Sequence, residues 1–210
     1  MRRILASAPE RAVVGTEPSD GRQAYWDAVH SKDVVFWQIP DVILHGVTGS
    51  LAPGSTVVDL GCGSGDLVAK LAASGFNAHG IDWSHVAVRA ARARHPGNVF
   101  VALDVEACEL APCDLAVISL LLPFITDRAR FLRKVATAAS RVLLTVPVSA
   151  EDLTESGRAR GPCLSALELT ALLEPFPLCV HIADATSPGG APMVRVYLFS
   201  AALPIGEKLP

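Results

Sequence analysis

The stretch that decides the fold is Val57-Val58-Asp59-Leu60-Gly61-Cys62-Gly63-Ser64-Gly65-Asp66-Leu67. A short apolar run with two β-branched residues reads as a buried strand. It enters a turn with glycine at every second position, and the turn opens into a helical pattern. Without side chains, such a turn lets a ligand lie against the backbone and tolerates positive φ. The free amides at the following helix start face the carboxyl edge of the sheet, where open α/β folds bind their ligands. A dinucleotide loop would read G-x-G-x-x-G. Here the third glycine comes one residue early and Asp66 takes the next place, so spacing and charge both oppose a pyrophosphate.

Two more strand ends carry acids. In Gly80-Ile81-Asp82-Trp83-Ser84 an acid closes a second strand, roughly twenty residues after the first glycine, where it is suited to accept from ribose hydroxyls. In Ala102-Leu103-Asp104-Val105 a third strand ends on Asp104, which can accept from the exocyclic amine of adenine. Trp83 and Val105 offer apolar faces to the ring. Three acidic strand ends side by side suit a ligand with a cationic part, a ribose and an adenine, and no phosphates.

Around this centre, short apolar runs alternate with helical ones. Strands are expected at 56–60, 78–81, 99–103, 115–121, 141–146, 178–182 and 194–199, and helices at 66–74, 84–95, 127–139 and 164–173. Ser84 is an expected N-cap. Alternation of this kind means right-handed βαβ units and a parallel sheet. No helix fits between the last two strands, so they form an antiparallel hairpin. The expected fold is therefore α/β, a doubly wound, mostly parallel seven-stranded sheet with an antiparallel C-terminal hairpin and an N-terminal helical extension. Residues 1–21 read as a flexible arm, 22–50 as a helical lid with Pro40 near the start of its second helix, and 51–203 as the ligand-binding domain.

The loop, the two acids in register and the seven strands together resemble the class I S-adenosylmethionine-dependent methyltransferases over residues 54–201. Val58-Asp59-Leu60-Gly61-Cys62-Gly63-Ser64-Gly65 is similar to the family's first motif, and Cys113-Asp114-Leu115-Ala116-Val117-Ile118-Ser119 to its fourth strand. The resemblance implies S-adenosylmethionine as cofactor. It places Asp59, Gly61, Cys62, Gly63, Gly65, Asp82, Trp83, Asp104, Val105 and Ser119 around it. Two departures stand out. Ala138-Ala139-Ser140 replaces the Pro-Gly-Gly that often precedes the fifth strand, and Pro123-Phe124 replaces the His often found after the fourth. The second removes one base near the methyl group.

The N-terminal segment in this family often closes over the cofactor. Tyr25, Trp26, Phe36 and Trp37 are then an aromatic wall, with at least two of them facing the pocket and Tyr25 touching the cofactor. His30 is the best candidate base and His45 the other; His79, His85, His95 and His181 read as structural or surface residues. Arg158-Ala159-Arg160 reads as a solvated loop.

Composition bounds the acceptor. The 210 residues are 50% apolar and 19% charged, with a formal net charge of −3, which fits a folded domain rather than a dedicated nucleic-acid binder. The N/D-P-P-Y of amino-methylating enzymes is absent, since Ser119-Leu120-Leu121-Leu122-Pro123-Phe124 stands in its place. The five cysteines include no CxxC pair and are odd in number, which suggests neither disulfides nor a zinc site. No apolar run approaches the roughly 20 residues of a membrane span. The expectation is a cytoplasmic methyltransferase acting on a small-molecule acceptor, without metal, membrane or nucleic acid. Two alternatives are a non-catalytic cofactor-binding partner subunit and an NAD-dependent short-chain oxidoreductase. The second would usually need Tyr-x-x-x-Lys, which neither Tyr25 nor Tyr197 provides.

Overall fold

The protein's structure is a computed structural model that describes residues 22–32, 37–147, 163–176, 179–186 and 192–200. The expected arm, Phe36 and the Arg158-Ala159-Arg160 cluster lie outside the described residues. Helices α1 (Arg22–His30) and α2 (Asp41–Thr48) precede β1 (Thr56–Leu60), α3 (Asp66–Ala73), β2 (Asn77–Asp82), α4 (His85–Arg94) and β3 (Val99–Ala102). There follow β4 (Cys113–Ser119), a 3₁₀ turn (Leu122–Phe124), α5 (Arg128–Ala138), β5 (Ala139–Pro147), α6 (Ala166–Leu173), β6 (Val180–Thr186) and β7 (Pro192–Ser200). No described helix is long and apolar enough to cross a membrane.

The seven strands form one sheet in the order β3-β2-β1-β4-β5-β7-β6. The first five are parallel, and β7 runs antiparallel to both β5 and β6. The expected hairpin is therefore present, but its second strand sits inside the sheet and its first at the edge. β6 begins at Val180 and runs on to Thr186 with register shifts, later than the 178–182 expected. Edge strands bury little, so apolar alternation marks their ends poorly; Val180 and Ile182 are in fact exposed.

Period-two alternation sorts each strand onto two cores. On one face Leu60, Ala116, Ile118, Val142 and Leu144 meet Leu132 and Val135 of α5 and Leu169 of α6. On the other, Val57, Leu115, Val117 and Leu143 meet Val68 and Leu71 of α3 and Val88 and Ala91 of α4. Leu44 and Val47 of α2 belong to this second core, so α2 packs with the body of the sheet. Each fully buried side chain of this kind is worth about 1.5–3 kcal/mol. Three helices start on the polar caps that their sequence offers: Ser84 accepts from Ala87 N–H, Asp127 from Arg130 N–H and Ser165 from Glu168 N–H.

Strand order reverses at β1, with β2 on one side and β4 on the other. Crossover helices leave to opposite faces there, and a crevice opens at the carboxyl ends. The residues at those ends are Leu60, Asp82, Ala102, Ser119 and Pro147.

Candidate cofactor site

The glycine turn lies in that crevice. Gly61 and Gly63 have φ of +79° and +50°, which side-chain-bearing residues rarely adopt. A Cβ on Gly61 would press on Leu121 at 3.2 Å, and one on Gly63 would meet His30 Cε1 at 3.4 Å. Gly65 has a different task. It does not line the crevice as the other expected site residues do. A Cβ there would stand 2.5 Å from Phe100, so this glycine lets α3 start against β3. The turn is tied to β2: Gly61 and Cys62 N–H both donate to the Ile81 carbonyl, and Gly63 N–H donates to Asp82 Oδ2 at 2.8 Å.

Asp82 is 8% exposed and also accepts from Ser84 N–H at 2.8 Å through Oδ1. Burial pushes its carboxyl up; the two amides and His30 oppose this without cancelling it, and Asp27 adds to it. Asp59, one residue before the end of β1, is 3% exposed and its Oδ1 has no hydrogen-bond partner. Burial, with Asp82 beside it, raises its carboxyl to about 7. Asp104 accepts from Glu106 N–H at 2.8 Å, and Lys134 fixes the same turn by donating to the carbonyls of Val105, Glu106 and Cys108. Asp66 accepts from Ser64 at 2.6 Å, bonds His95 Nε2 at 2.9 Å and sits near Arg94. Burial pushes it up, yet these partners outweigh burial and hold it below the usual carboxylate range. The negative charge at the start of α3 is therefore real at neutral pH.

These groups converge on one cavity of about 370 Å³. It collects Tyr25, His30, Asp59, Gly61, Cys62, Gly63, Asp82, Trp83, Asp104, Val105 and Ser119, every expected site residue except Gly65. Cys62 is buried, and burial pushes its thiol up. From α1, Trp26 stacks edge-on against Phe124 at 4.6 Å and 84°, and Tyr25 against Trp26 at 5.3 Å. Trp37 also lines the cavity. His45 does not; it is exposed on α2, which leaves His30 as the histidine at the site.

Sequence reasoning missed Gln38, Glu106, Leu120, Leu121 and Ile125, all of which line the cavity. Leu120 is the only described non-glycine residue with positive φ, 56°, held by Leu120 N–H donating to the Thr145 carbonyl at 3.0 Å. Such strain persists only where the surroundings over-determine it, and it gathers at functional sites. It turns the chain after β4 so that Leu121 closes on Gly61. Leucine carries no sequence signal for that conformation.

The site agrees with what the chain is similar to. Residues 57–143, from β1 into β5, match the family model described as a methyltransferase domain. By that match the chain is similar to methyltransferases over its first five strands. Its fold is shared with a methyltransferase structure from Methanosarcina mazei, at 18% identity and TM-score 0.60, covering 78% of this chain and 98% of that one. A methyltransferase from Mesorhizobium loti aligns at 21% identity and TM-score 0.59, covering 74% and 95%. Magnesium protoporphyrin IX methyltransferase from Synechocystis PCC 6803, with S-adenosylhomocysteine bound, aligns at 18% identity and TM-score 0.59, covering 89% and 88%. No curated protein sequence matches this chain.

Proposed function

We propose that the protein transfers the methyl group of S-adenosylmethionine to a small-molecule acceptor held between that cofactor and the aromatic wall of α1. The observation that carries this reading is the single cavity in which the glycine turn and three strand-end acids face Tyr25, Trp26 and His30.

The residues fit the cofactor piece by piece. The orphaned, buried Asp59 Oδ1 suits the ammonium of the methionine end, with Gly61 and Gly63 leaving the backbone bare beside it. Asp82 keeps lone pairs for the ribose hydroxyls beyond the two amides that it already accepts. Trp83 and Val105 would offer the adenine apolar faces, and Asp104 would accept from its amine. When bound, S-adenosylmethionine supplies a methyl carbon on a sulfonium that needs no acid to depart. What remains for the protein is alignment, which contributes on the order of 7–11 kcal/mol when a nucleophile is held in line.

Trp26, Phe124, Leu121 and Ile125 give the acceptor an apolar seat, and the rings of Trp26 and Phe124 offer faces to positive charge. His30 takes the proton from an acceptor hydroxyl or thiol. An acceptor that is already a free amine needs only the seat. A macromolecular acceptor is disfavoured by the net charge of −3 and by a cavity of small-molecule size.

The test incubates the protein and methyl-labelled S-adenosylmethionine with cell extract, then separates small molecules from protein and nucleic acid. Label entering the small-molecule fraction, and falling at least tenfold with His30→Ala, supports the reading. Label confined to protein or nucleic acid overturns it.

A further inference from the structure

One contact of α1 lies outside the cavity and is not explained by the reaction. Gln23 and Asp27 are one helical turn apart on one side of α1; Trp26 and His30 form the neighbouring stripe, which lines the cavity. The first pair is docked on the β2–α4 junction. Gln23 Nε2 donates to the Trp83 carbonyl at 3.3 Å. Ser84 O–H donates to Asp27 Oδ1 at 2.5 Å, and Val86 N–H donates to the same oxygen at 3.2 Å.

Ser84 and Val86 sit at the start of α4, where backbone amides lack helical partners and negative charge is favoured. Ser84, fully buried, already caps α4 by accepting from Ala87 N–H. Asp27 thus completes this cap from another helix, 57 residues away in sequence. Burial pushes the Asp27 carboxyl up, but the bonds from Ser84 and Val86, with His85 and Arg89 nearby, take it below its ordinary value. The network continues inward. Ser84 N–H donates to Asp82, whose other oxygen holds Gly63 of the glycine turn.

We propose that Asp27 is a positioning residue, docking α1 on the N-terminus of α4 so that Trp26 and His30 stand over the cofactor bound by Asp82 and Gly63. Placement of the roof and shape of the ribose site are then two ends of one hydrogen-bonded chain, Asp27–Ser84–Asp82–Gly63. The proposal rests on α1 being the roof of the cofactor cavity.

The test uses the full chain with Asp27→Ala and Asp27→Asn, titrated with S-adenosylhomocysteine by calorimetry, and followed without ligand by amide hydrogen exchange. Asp27→Ala is expected to weaken S-adenosylhomocysteine at least about fivefold. It is also expected to speed exchange across residues 22–30 while leaving β1, β4 and β5 protected as in the wild type. Asp27→Asn keeps an oxygen that can accept from Ser84 and Val86, and is expected to recover affinity to within about threefold of wild type. Wild-type affinity and wild-type exchange over residues 22–30 in Asp27→Ala would overturn the proposal. So would an Asn variant as weak as Ala with α1 exchange unchanged. A wild-type protein that ignores S-adenosylhomocysteine would sink the cofactor assignment instead, while the ligand-free exchange still reads the docking.

Discussion

Helices α1 and α2 are neighbours in sequence and nearly equal in length, nine and eight residues, yet they belong to different parts of the molecule. α2 buries Leu44 at 2% and Val47 at 4% exposure in the core that also holds Val57, Leu115, Val117 and Leu143. Among the described side chains of α1 none is buried to that degree; Tyr25 is 59% exposed, and the helix is held by polar contacts and the edge of Phe124. One helix is part of the body that shapes the cavity floor, the other is its roof. A floor must not move if strand-end acids are to keep their spacing, whereas a roof held by a few hydrogen bonds can open for an acceptor.

The largest effect that separates the two is expected from Leu44→Ala. Losing a buried leucine from α2 should cost about 2–5 kcal/mol, read as a lower urea midpoint. The folded fraction should bind S-adenosylhomocysteine as the wild type does. A stable Leu44→Ala protein would move α2 into the roof.

A pH effect probes the floor. Asp59 has a folded pKa of about 7, against about 3.9 in an unfolded chain. The native state holds this proton more tightly, so stability from this group is full below about pH 4. It declines as pH rises to about 7 and is flat above, by up to about 4 kcal/mol in all. The difference in unfolding free energy between wild type and Asp59→Asn, measured from pH 4 to pH 8, should carry that slope. A constant difference would mean that Asp59 is ionised throughout. An ammonium group placed on Asp59 should expel its proton, so S-adenosylhomocysteine should bind more tightly as pH rises through 6 to 7.

Next in size is Asp82→Ala. Losing one charge-assisted bond to the ribose costs roughly 1.5–3 kcal/mol, at least about tenfold in affinity. The substitution also strands Gly63 and Ser84 amides, so a modest loss of stability accompanies it. Unchanged affinity in the folded variant would take Asp82 out of the site.

The smallest stability effect is expected at the roof. Trp26→Ala removes an edge-to-face pair worth about 0.5–1.5 kcal/mol. Its urea midpoint should fall far less than that of Leu44→Ala; an equal fall would make α1 a core helix and erase the contrast.

The same contrast explains what could be read from the sequence. The strands, the glycine turn and Asp59, Asp82 and Asp104 were legible because their signals are local: apolar runs, glycine spacing and acids at strand ends. The packing role of Gly65 was not legible, because its reason, Phe100, lies on another strand. The positive φ of Leu120 and the docking of Asp27 on Ser84 were invisible for the same cause, since both depend on partners distant in sequence. The helical pattern of residues 22–48 was readable, but not that α2 joins the core while α1 covers the cavity, because both carry apolar residues at helical spacing.

The most direct test of the account is a calorimetric titration of the full chain with S-adenosylhomocysteine and, separately, with NADH. The account predicts one S-adenosylhomocysteine per chain at micromolar affinity and no heat from NADH, whose pyrophosphate would meet the ionised Asp66 at the start of α3. Micromolar NADH binding with no response to S-adenosylhomocysteine would contradict it.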